Sequence, residues 1–214
     1  MEEAIIDTTR RVFIKEGIQR FTMDDLAAAT GISKKTLYRF YPSRQDLVEK
    51  VCEWVAAEYE NKMAPWDELT ANSIDKLLGF ISNVISFCKT VSPVFFNDLR
   101  RHYPLQWIEL QNHLQGALSA RLQSLLEKGI SEGVFRSSLH PALVISIWQH
   151  HVQSDFEQAA ALVNDYSKDE IFRQSVYLFL YGIISPAAVQ QLDEKLRDID
   201  WRTVQPILFT NNPL

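Results

Sequence analysis

The fold of the first part of this chain is decided by residues 22–40, TMDDLAAATGISKKTLYRF. Thr22 and Asp25 have the spacing of a capping box, in which the Thr22 hydroxyl accepts a backbone N–H and the Asp25 carboxylate reaches back. A short helix over 23–30 is therefore predicted. Gly31 suits the left-handed backbone of the tight turn that follows, and Ser33 caps the next helix. The stretch predicts two short helices joined by a glycine turn.

The second of these helices presents a basic face to solvent. Lys34, Lys35, Tyr38 and Arg39 lie off its apolar side, and no Asp or Glu occurs over residues 26–45. A helix of this width fits the major groove of B-DNA, where its first residues reach base edges. The pattern favours a helix-turn-helix DNA-binding unit. The alternative is a structural three-helix subdomain whose charges form only a solvated face.

Composition and charge divide the chain into two parts. Its 214 residues are 46% hydrophobic and 23% charged, as in a globular protein, and the net charge of -5 argues against a histone-like protein. Residues 1–50 hold 9 of the 22 basic but only 8 of the 27 acidic residues. We therefore expect a small DNA-binding domain over 1–50 and a larger, acidic, aromatic-rich domain over 51–214.

Apolar periodicity and proline placement predict an all-α fold. Gly17 is expected to end the first helix in a left-handed conformation, and the prolines, Pro65 among them, are expected between helices. The predicted helices cover residues 3–16, 23–30, 34–40, 44–64, 72–91, 94–102, 105–131, 141–163, 168–184 and 187–198.

Several classes of protein are disfavoured by what the sequence lacks. The two cysteines form no CxxC motif, and no signal peptide or long apolar run is visible, so a cytoplasmic protein without a membrane partner is expected. No GxSxG, HExxH, P-loop or GxGxxG motif occurs. The clusters His150-His151 with Asp155, and Asp98 with His102, offer too few ligands for a metal. We expect no enzyme activity, metal or cofactor.

Residues 5–51 resemble the DNA-binding head of the tetracycline-repressor (TetR) family. The matching marks are Val12-Phe13, Gly17, the run DLAAATGISK at 25–34, TLY at 36–38 and FYPSR at 40–44. The resemblance implies that the second and third helices form the helix-turn-helix. It also implies an all-helical body that binds a small effector and dimerises through its last two long helices. The function implied is a ligand-responsive repressor that binds a palindromic operator as a homodimer.

The resemblance also assigns roles to individual residues of the head. The side chains that it turns toward the groove are Lys34, Lys35, Thr36 and Tyr38, next to the helix cap Ser33. Those that it brings to phosphates are Thr22, Arg39, Tyr41 and Arg44.

In the body, the resemblance implies an effector pocket and a dimer interface. The expected pocket residues are Phe80, Phe87, Phe95, Phe96, Tyr103, Trp107, Trp148, His151, Asp155 and Tyr177. The expected interface residues are Val152, Phe156, Phe172, Val176 and Phe179, on helices that are apolar on more than one side. For each aromatic residue and for the interface, packing in the monomer core is the alternative. Asp155 has three possible partners: His151, a residue of the other subunit, or a cationic ligand.

Two other functions remain open at this point. One is a DNA-binding regulator without a small effector, controlled by a protein partner or acting as an activator. The other is a helical enzyme with a vestigial DNA-binding head, which would bind DNA with little dependence on salt.

Overall fold

The computed structural model describes residues 1–149 and 168–197, and over these residues the fold is all-α. The described elements come close to the predicted ones in number and position. They are α1 (Glu2–Glu16), α2 (Met23–Thr30), α3 (Lys34–Phe40), α4 (Arg44–Asp67), α5 (Ser73–Thr90), α6 (Pro93–His102), α7 (Pro104–Ser131), α8 (helical over 141–149), α9 (Lys168–Ile183), a 3₁₀ turn (Pro186–Ala188) and α10 (Val189–Arg197).

The chain forms two compact units. Unit 1 comprises Met1–Lys62 and Phe87–Leu114, and unit 2 comprises Met63–Ser86 together with the described residues from Gln115 onward. Three helices, α4, α5 and α7, therefore contribute residues to both units. The predicted DNA-binding domain, residues 1–50, lies within unit 1, and its boundary at residue 50 stays a prediction.

Unit 1 is built on the three helices of the head, α1 to α3, together with the first part of α4. Phe13 of α1, Leu26 of α2, Leu37 of α3 and Leu47 of α4 are fully buried, so each helix contributes an apolar anchor to one core. Burying a side chain of this size stabilises the fold by about 1.5–3 kcal/mol. Because Leu37 fills the inward side of α3, the opposite side of that short helix is left to solvent.

Helix α6 packs against α1 in unit 1 and covers the end of that helix. The N–H of Ser92 donates to the Ile14 carbonyl at 3.2 Å. Gly17 ends α1 with φ 94° and ψ 159°, so the prediction of a left-handed helical conformation there was wrong: φ is positive, but ψ is extended. A Cβ on Gly17 would lie 2.6 Å from Val94 Cγ1 and 2.8 Å from Asp98 Oδ2. Glycine is thus required by both the backbone and the close approach of α6.

Unit 2 has its own apolar core from α5, α7, α9 and α10. The turn after α7 closes on the end of α9: Arg136 N–H donates to the Ile183 carbonyl, and Ser185 N–H donates to the Val134 carbonyl, both at 2.9 Å. Phe135 is 1% exposed and lies under Gly129, where a Cβ would come within 2.2 Å of its ring. This pairing fixes the end of α7 to the end of α9.

Proline positions follow the prediction in part. Pro93 and Pro104 begin α6 and α7, where the missing N–H costs nothing. Pro65, expected between helices, instead lies inside the last turn of α4. The helix continues for two residues beyond it because a proline so close to the C-terminus interrupts only the final backbone hydrogen bonds.

Candidate nucleic-acid interface and effector body

The caps of the helix-turn-helix are formed as the sequence predicts. The Asp25 N–H donates to Thr22 Oγ1 at 3.2 Å, and the Thr22 N–H donates to Asp25 Oδ2 at 2.8 Å, which completes the capping box. The Thr22 hydroxyl, at 2.6 Å, and the Thr22 N–H both donate to the Asp25 carboxylate and hold its pKa below the ordinary value of 3.8. Gly31 ends α2 with φ 68° and ψ 25°, the left-handed conformation expected of it.

Helix α3 begins at a side-chain cap of its own. Ser33 Oγ accepts the Thr36 N–H at 3.1 Å, and the two hydroxyl oxygens lie 2.8 Å apart. Ser33 is exposed and Thr36 is half-buried. The cap fixes the first turn of α3, which is the part of a recognition helix that reaches base edges.

The outward face of α3 carries three exposed cations and an aromatic ring. Lys34, Lys35 and Arg39 are exposed, and Tyr38 is 40% exposed. The Lys34 ammonium lies 2.7 Å from Asp24 Oδ1 of α2. The hydrogen bond to Asp24 and its charge raise the Lys34 pKa. Because both partners are more than half exposed, this pair is worth little and can exchange for a phosphate.

Four residues were expected to approach phosphates, and the structure places them in two groups. Thr22 and Arg39 are exposed. Tyr41 is 4% exposed, and burial, together with the nearby Glu2 carboxylate, raises the pKa of its phenol to about 12. Arg44 is half-buried and donates from Nη2 to the Ile18 carbonyl. Phosphate binding by all four stays a prediction, but Tyr41 and Arg44 also have structural contacts within the head.

The arrangement of α2, turn and α3 is that of a helix-turn-helix with a cationic outer face. Residues 5–51 match the model of the family described as "Bacterial regulatory proteins, tetR family". The match covers the helix-turn-helix part of the chain.

Two curated relatives match most of the chain. The "Uncharacterized HTH-type transcriptional regulator YvaF" of Bacillus subtilis (strain 168) is 24% identical over 184 residues, covering 86% of this chain and 95% of YvaF. The "Biofilm operon icaADBC HTH-type negative transcriptional regulator IcaR" of Staphylococcus aureus is 23% identical over 194 residues, covering 84% and 97%. Both names describe transcriptional regulators and neither describes an enzyme.

A solved structure of a putative transcriptional regulator from Saccharomonospora viridis, in complex with choline, has the same fold. It superposes with a TM-score of 0.69 at 14% identity and covers 86% of this chain and 97% of that one. The likeness extends one architecture over most of the chain: an N-terminal helix-turn-helix domain followed by a larger helical C-terminal part.

The expected effector residues that the structure describes are divided between the two units. In unit 1, Phe87 packs edge-on against Tyr59 with ring centroids 5.2 Å apart. Phe96 lies between Phe95 and Trp107, at 5.6 and 6.1 Å. Tyr103, at the end of α6, is half-buried. These contacts are core packing, the alternative left open for each aromatic residue, and effector binding by them stays a prediction.

In unit 2, Phe80 is buried edge-on against Trp66 at 5.5 Å. The ring of Trp148 on α8 lies 4.2 Å from that of Phe179 on α9, so a residue expected at the pocket contacts one expected at the dimer interface. The Arg173 guanidinium lies 5.7 Å from the Tyr177 ring. His151 and Asp155 lie outside the described residues.

The expected interface residues have different outcomes. Val176 is fully buried within unit 2, so it belongs to the core of one chain and offers no surface to a second. Phe179 is half-buried. Val152 and Phe156 lie outside the described residues, and the side chain of Phe172 does as well. Among the described residues of these helices, the exposed large apolar side chains are instead Leu143 and Ile147 of α8 and Leu178 and Tyr181 of α9.

A cavity of about 440 Å³ opens in unit 2 between the end of α4, the first half of α5 and the second half of α7. No effector residue expected from the sequence lies among its described lining residues. The sequence contained a weak signal for it: alanines and a serine recur on one side of α7 at Ala117, Ala120 and Ser124, which leaves space beside that helix. That Trp66 faces this side of α7 depends on packing that periodicity does not reveal.

Residues 1–149 and 168–197 contain neither a membrane-spanning helix nor a cluster of metal ligands. No helix there is long and apolar enough to cross a bilayer. Within the same ranges, no group of three His, Cys, Asp or Glu residues is arranged to hold a metal ion. The Asp98 carboxylate, which the sequence places one turn before His102, accepts the backbone N–H of Gln19 at 2.8 Å.

Proposed function

We propose that this regulator is a repressor that binds a palindromic operator as a homodimer and is released by a small-molecule effector. The observation that carries the proposal is the capped helix α3, whose cationic face is exposed while Leu37 holds its other side in the core. Such a helix enters the major groove with its first residues on base edges. The protein would act where the DNA is, in the cytoplasm.

Different side chains of the helix-turn-helix are proposed to contact bases and phosphates. Lys35 and Tyr38, on the exposed face, are proposed to contact base edges, where Lys donates to guanine O6 and N7. Arg39 and Thr22 are proposed to bind phosphates and fix the register. Lys34 exchanges its exposed pair with Asp24 for a phosphate or a base, at little cost.

Dimerisation is supported by the exposed apolar side chains of α8 and α9. Leu143 is 60%, Ile147 69% and Leu178 75% exposed, and Tyr181 is 37% exposed. Leu143 and Ile147 are one helical turn apart and so lie on the same side of α8. Apolar surface on two helices of one unit is typical of an interface. A twofold dimer would present its α3 helices to half-sites about 34–36 Å apart.

Release by an effector follows from linkage. A ligand that binds better to a dimer unable to span both half-sites lowers DNA affinity by its ratio of affinities for the two states. Two relatives support repression and control by a small molecule. The name of IcaR describes a negative regulator, and the S. viridis regulator is complexed with choline. Helix α4 is proposed as the connection that carries the change, since it contributes residues to both units.

Selection of bound DNA from a random pool tests the proposal. The expected result is an inverted repeat whose half-sites are one helical turn apart, bound with an affinity that falls steeply as salt rises. Asymmetric single sites would contradict the homodimer. Binding with no salt dependence would contradict a DNA-binding role and favour the enzyme alternative. A metabolite panel that never shifts thermal stability or DNA affinity would favour a regulator without a small effector.

A further inference from the structure

The cavity of unit 2 has a wall of small side chains along α7. Ala117, Ala120 and Ser124 line it, facing Trp66 in the last turn of α4. Trp66 is fixed in place, because its Nε1–H donates to the Lys76 carbonyl at 2.6 Å and its ring packs on Phe80. The cavity is therefore bounded by small side chains of α7 and by an indole ring that is fixed in place. At about 440 Å³ it falls in the size range of small-molecule sites.

Three cations and one carboxylate line the same cavity. The Lys76 ammonium lies 4.9 Å from the Trp66 ring centroid and makes no ion pair with any residue that the structure describes. The Lys128 ammonium is 3.6 Å from Glu132 Oε1. Arg121 binds Asp67, from Nε to Oδ1 at 2.9 Å and from Nη2 to Oδ2 at 2.8 Å.

The charges of these groups do not cancel. Asp67 balances Arg121, and this two-bond pair orients the guanidinium, whose side chain is only 16% exposed. Glu132, which is not among the described lining residues, offsets Lys128 and also accepts a 2.5 Å hydrogen bond from the Ser73 hydroxyl. Lys76 is thus the lining cation that has no carboxylate partner among the described residues, and the lining carries an excess of positive charge. A cleft with an excess of one charge concentrates ligands of the opposite sign.

We infer that this cavity binds a small anion carried on an apolar or aromatic body, and that this molecule is the effector. The anionic group would lie between Lys76 and Lys128, and the apolar part would lie along Ala117 and Ala120. The bound molecule is an effector only if the proposed function holds, because an effector is a ligand that changes DNA binding. Binding in the cavity itself does not depend on DNA.

Calorimetric titration of the full chain with probes of one skeleton tests the inference. Naphthalene-2-carboxylate carries the anion, 2-naphthalenemethanol is neutral, and 2-naphthylmethylammonium is cationic. The carboxylate is expected to bind at least about tenfold more tightly than the other two, the loss of one charged hydrogen bond being worth about that factor. Inorganic phosphate alone is expected to bind more weakly than the carboxylate. Equal binding of the three naphthalene probes, or no measurable binding of the carboxylate, would overturn the inference.

Two variants locate the binding. The double substitution Lys76→Gln and Lys128→Gln is expected to weaken binding of naphthalene-2-carboxylate by about tenfold or more. Lys195→Gln is the matched control: it removes a lysine of the same unit, paired with Asp75 at 2.9 Å, that does not line the cavity. Its affinity for the probe should equal that of the unchanged protein. An unchanged affinity in the double variant would place the anion elsewhere.

DNA affinity measured on the same proteins separates the two proposals. The double variant should bind operator DNA as the unchanged protein does, and the carboxylate should no longer weaken that binding. If the carboxylate binds the cavity but DNA is never bound, the proposed function fails and the anion site stands. If DNA is bound and another molecule releases it while the carboxylate does not bind, the anion site fails and the proposed function stands.

Discussion

The backbone N–H of Gln19 donates a 2.8 Å hydrogen bond to Asp98 Oδ2, which joins the segment between α1 and α2 to helix α6. Gln19 and Asp98 are 79 residues apart in sequence, yet both belong to unit 1. The helix-turn-helix is therefore supported by a helix that lies outside the family's N-terminal match. The stability of the head depends on α6 as well as on its own three helices.

Asp98→Ala is expected to lower the free energy of unfolding by about 1 kcal/mol, because it removes a charged acceptor from a backbone N–H. Urea unfolding followed by circular dichroism measures the change. Asp7→Ala is the control, since it breaks only the exposed pair with Arg10 and should change stability by less than about 0.5 kcal/mol. Equal effects of the two substitutions would show that the contact with α6 adds nothing.

Gly17→Ala is expected to destabilise the protein by more than about 1 kcal/mol. The substitution forces a Cβ against Val94 and Asp98 at a φ of +94°. Gly116→Ala in α7 offers the opposite case, because no atom lies within 4 Å of the new Cβ. That change should stabilise the helix by about 0.5–1 kcal/mol. Thermal unfolding of the two variants should thus shift in opposite directions, and shifts of the same sign would contradict the packing described at Gly17.

The capping box predicts a pH dependence. The folded-state pKa of Asp25 lies below its ordinary value of 3.8 because the Thr22 side chain and backbone donate to it. A depressed pKa means that its stabilisation is present above about pH 4 and is lost as the pH falls through the folded value. Asp25→Asn should therefore be less stable than the unchanged protein at neutral pH, and the difference should shrink as the pH falls below the ordinary carboxyl value of 3.8. A difference that stays constant across this range would refute the carboxylate's role in the cap.

Substitutions of two arginines separate phosphate binding from support of the fold. Arg39→Ala is expected to lower the salt slope of DNA binding by about 1 and to leave the thermal midpoint unchanged, since Arg39 is exposed. Arg44→Ala should lower the thermal midpoint as well, because Arg44 donates to the Ile18 carbonyl and its guanidinium lies 5.9 Å from the Phe13 ring centroid. Fluorescence anisotropy at several salt concentrations and a thermal melt measure the two quantities. If Arg44→Ala leaves the slope intact, its phosphate role is wrong.

The interface proposed on α8 and α9 predicts a change of oligomeric state on substitution. Ile147→Asp and Leu178→Asp together should produce monomers in sedimentation velocity, because both side chains are largely exposed in the single chain and can be replaced without disturbing its core. Leu105→Asp is the matched control, a leucine of unit 1 that is 68% exposed. It should leave the dimer intact. A double variant that still sediments as a dimer would place the interface on other helices.

Local chemistry explains why the head was predictable. Thr22 and Ser33 cap the starts of α2 and α3, and Gly31 ends α2. Each forms hydrogen bonds with residues only three or four positions away, so the local sequence is enough to predict these helix ends. Gly17 was harder: its positive φ was foreseen, but the extended ψ comes from α6, which approaches from far along the sequence.

The body was less predictable because its sites depend on how helices pack. Val176 and Leu178 lie on one apolar helix, and the sequence does not reveal that the first is buried and the second 75% exposed. The cavity beside Trp66 was missed for the same reason. Its cations come from α5 and α7, and each of them has the sequence surroundings of an ordinary surface residue.

The attachment of α6 to the end of α1 has a consequence for building chimeric regulators. A donor fragment ending near residue 62 would carry the recognition helix but not α6, which packs against Gly17. The Ile14 carbonyl would also lose the hydrogen bond that it accepts from the Ser92 N–H. Transplanting this protein's sequence preference onto a foreign sensor therefore calls for grafting the few exposed side chains of α3 that are proposed to contact DNA, while the recipient keeps its own scaffold.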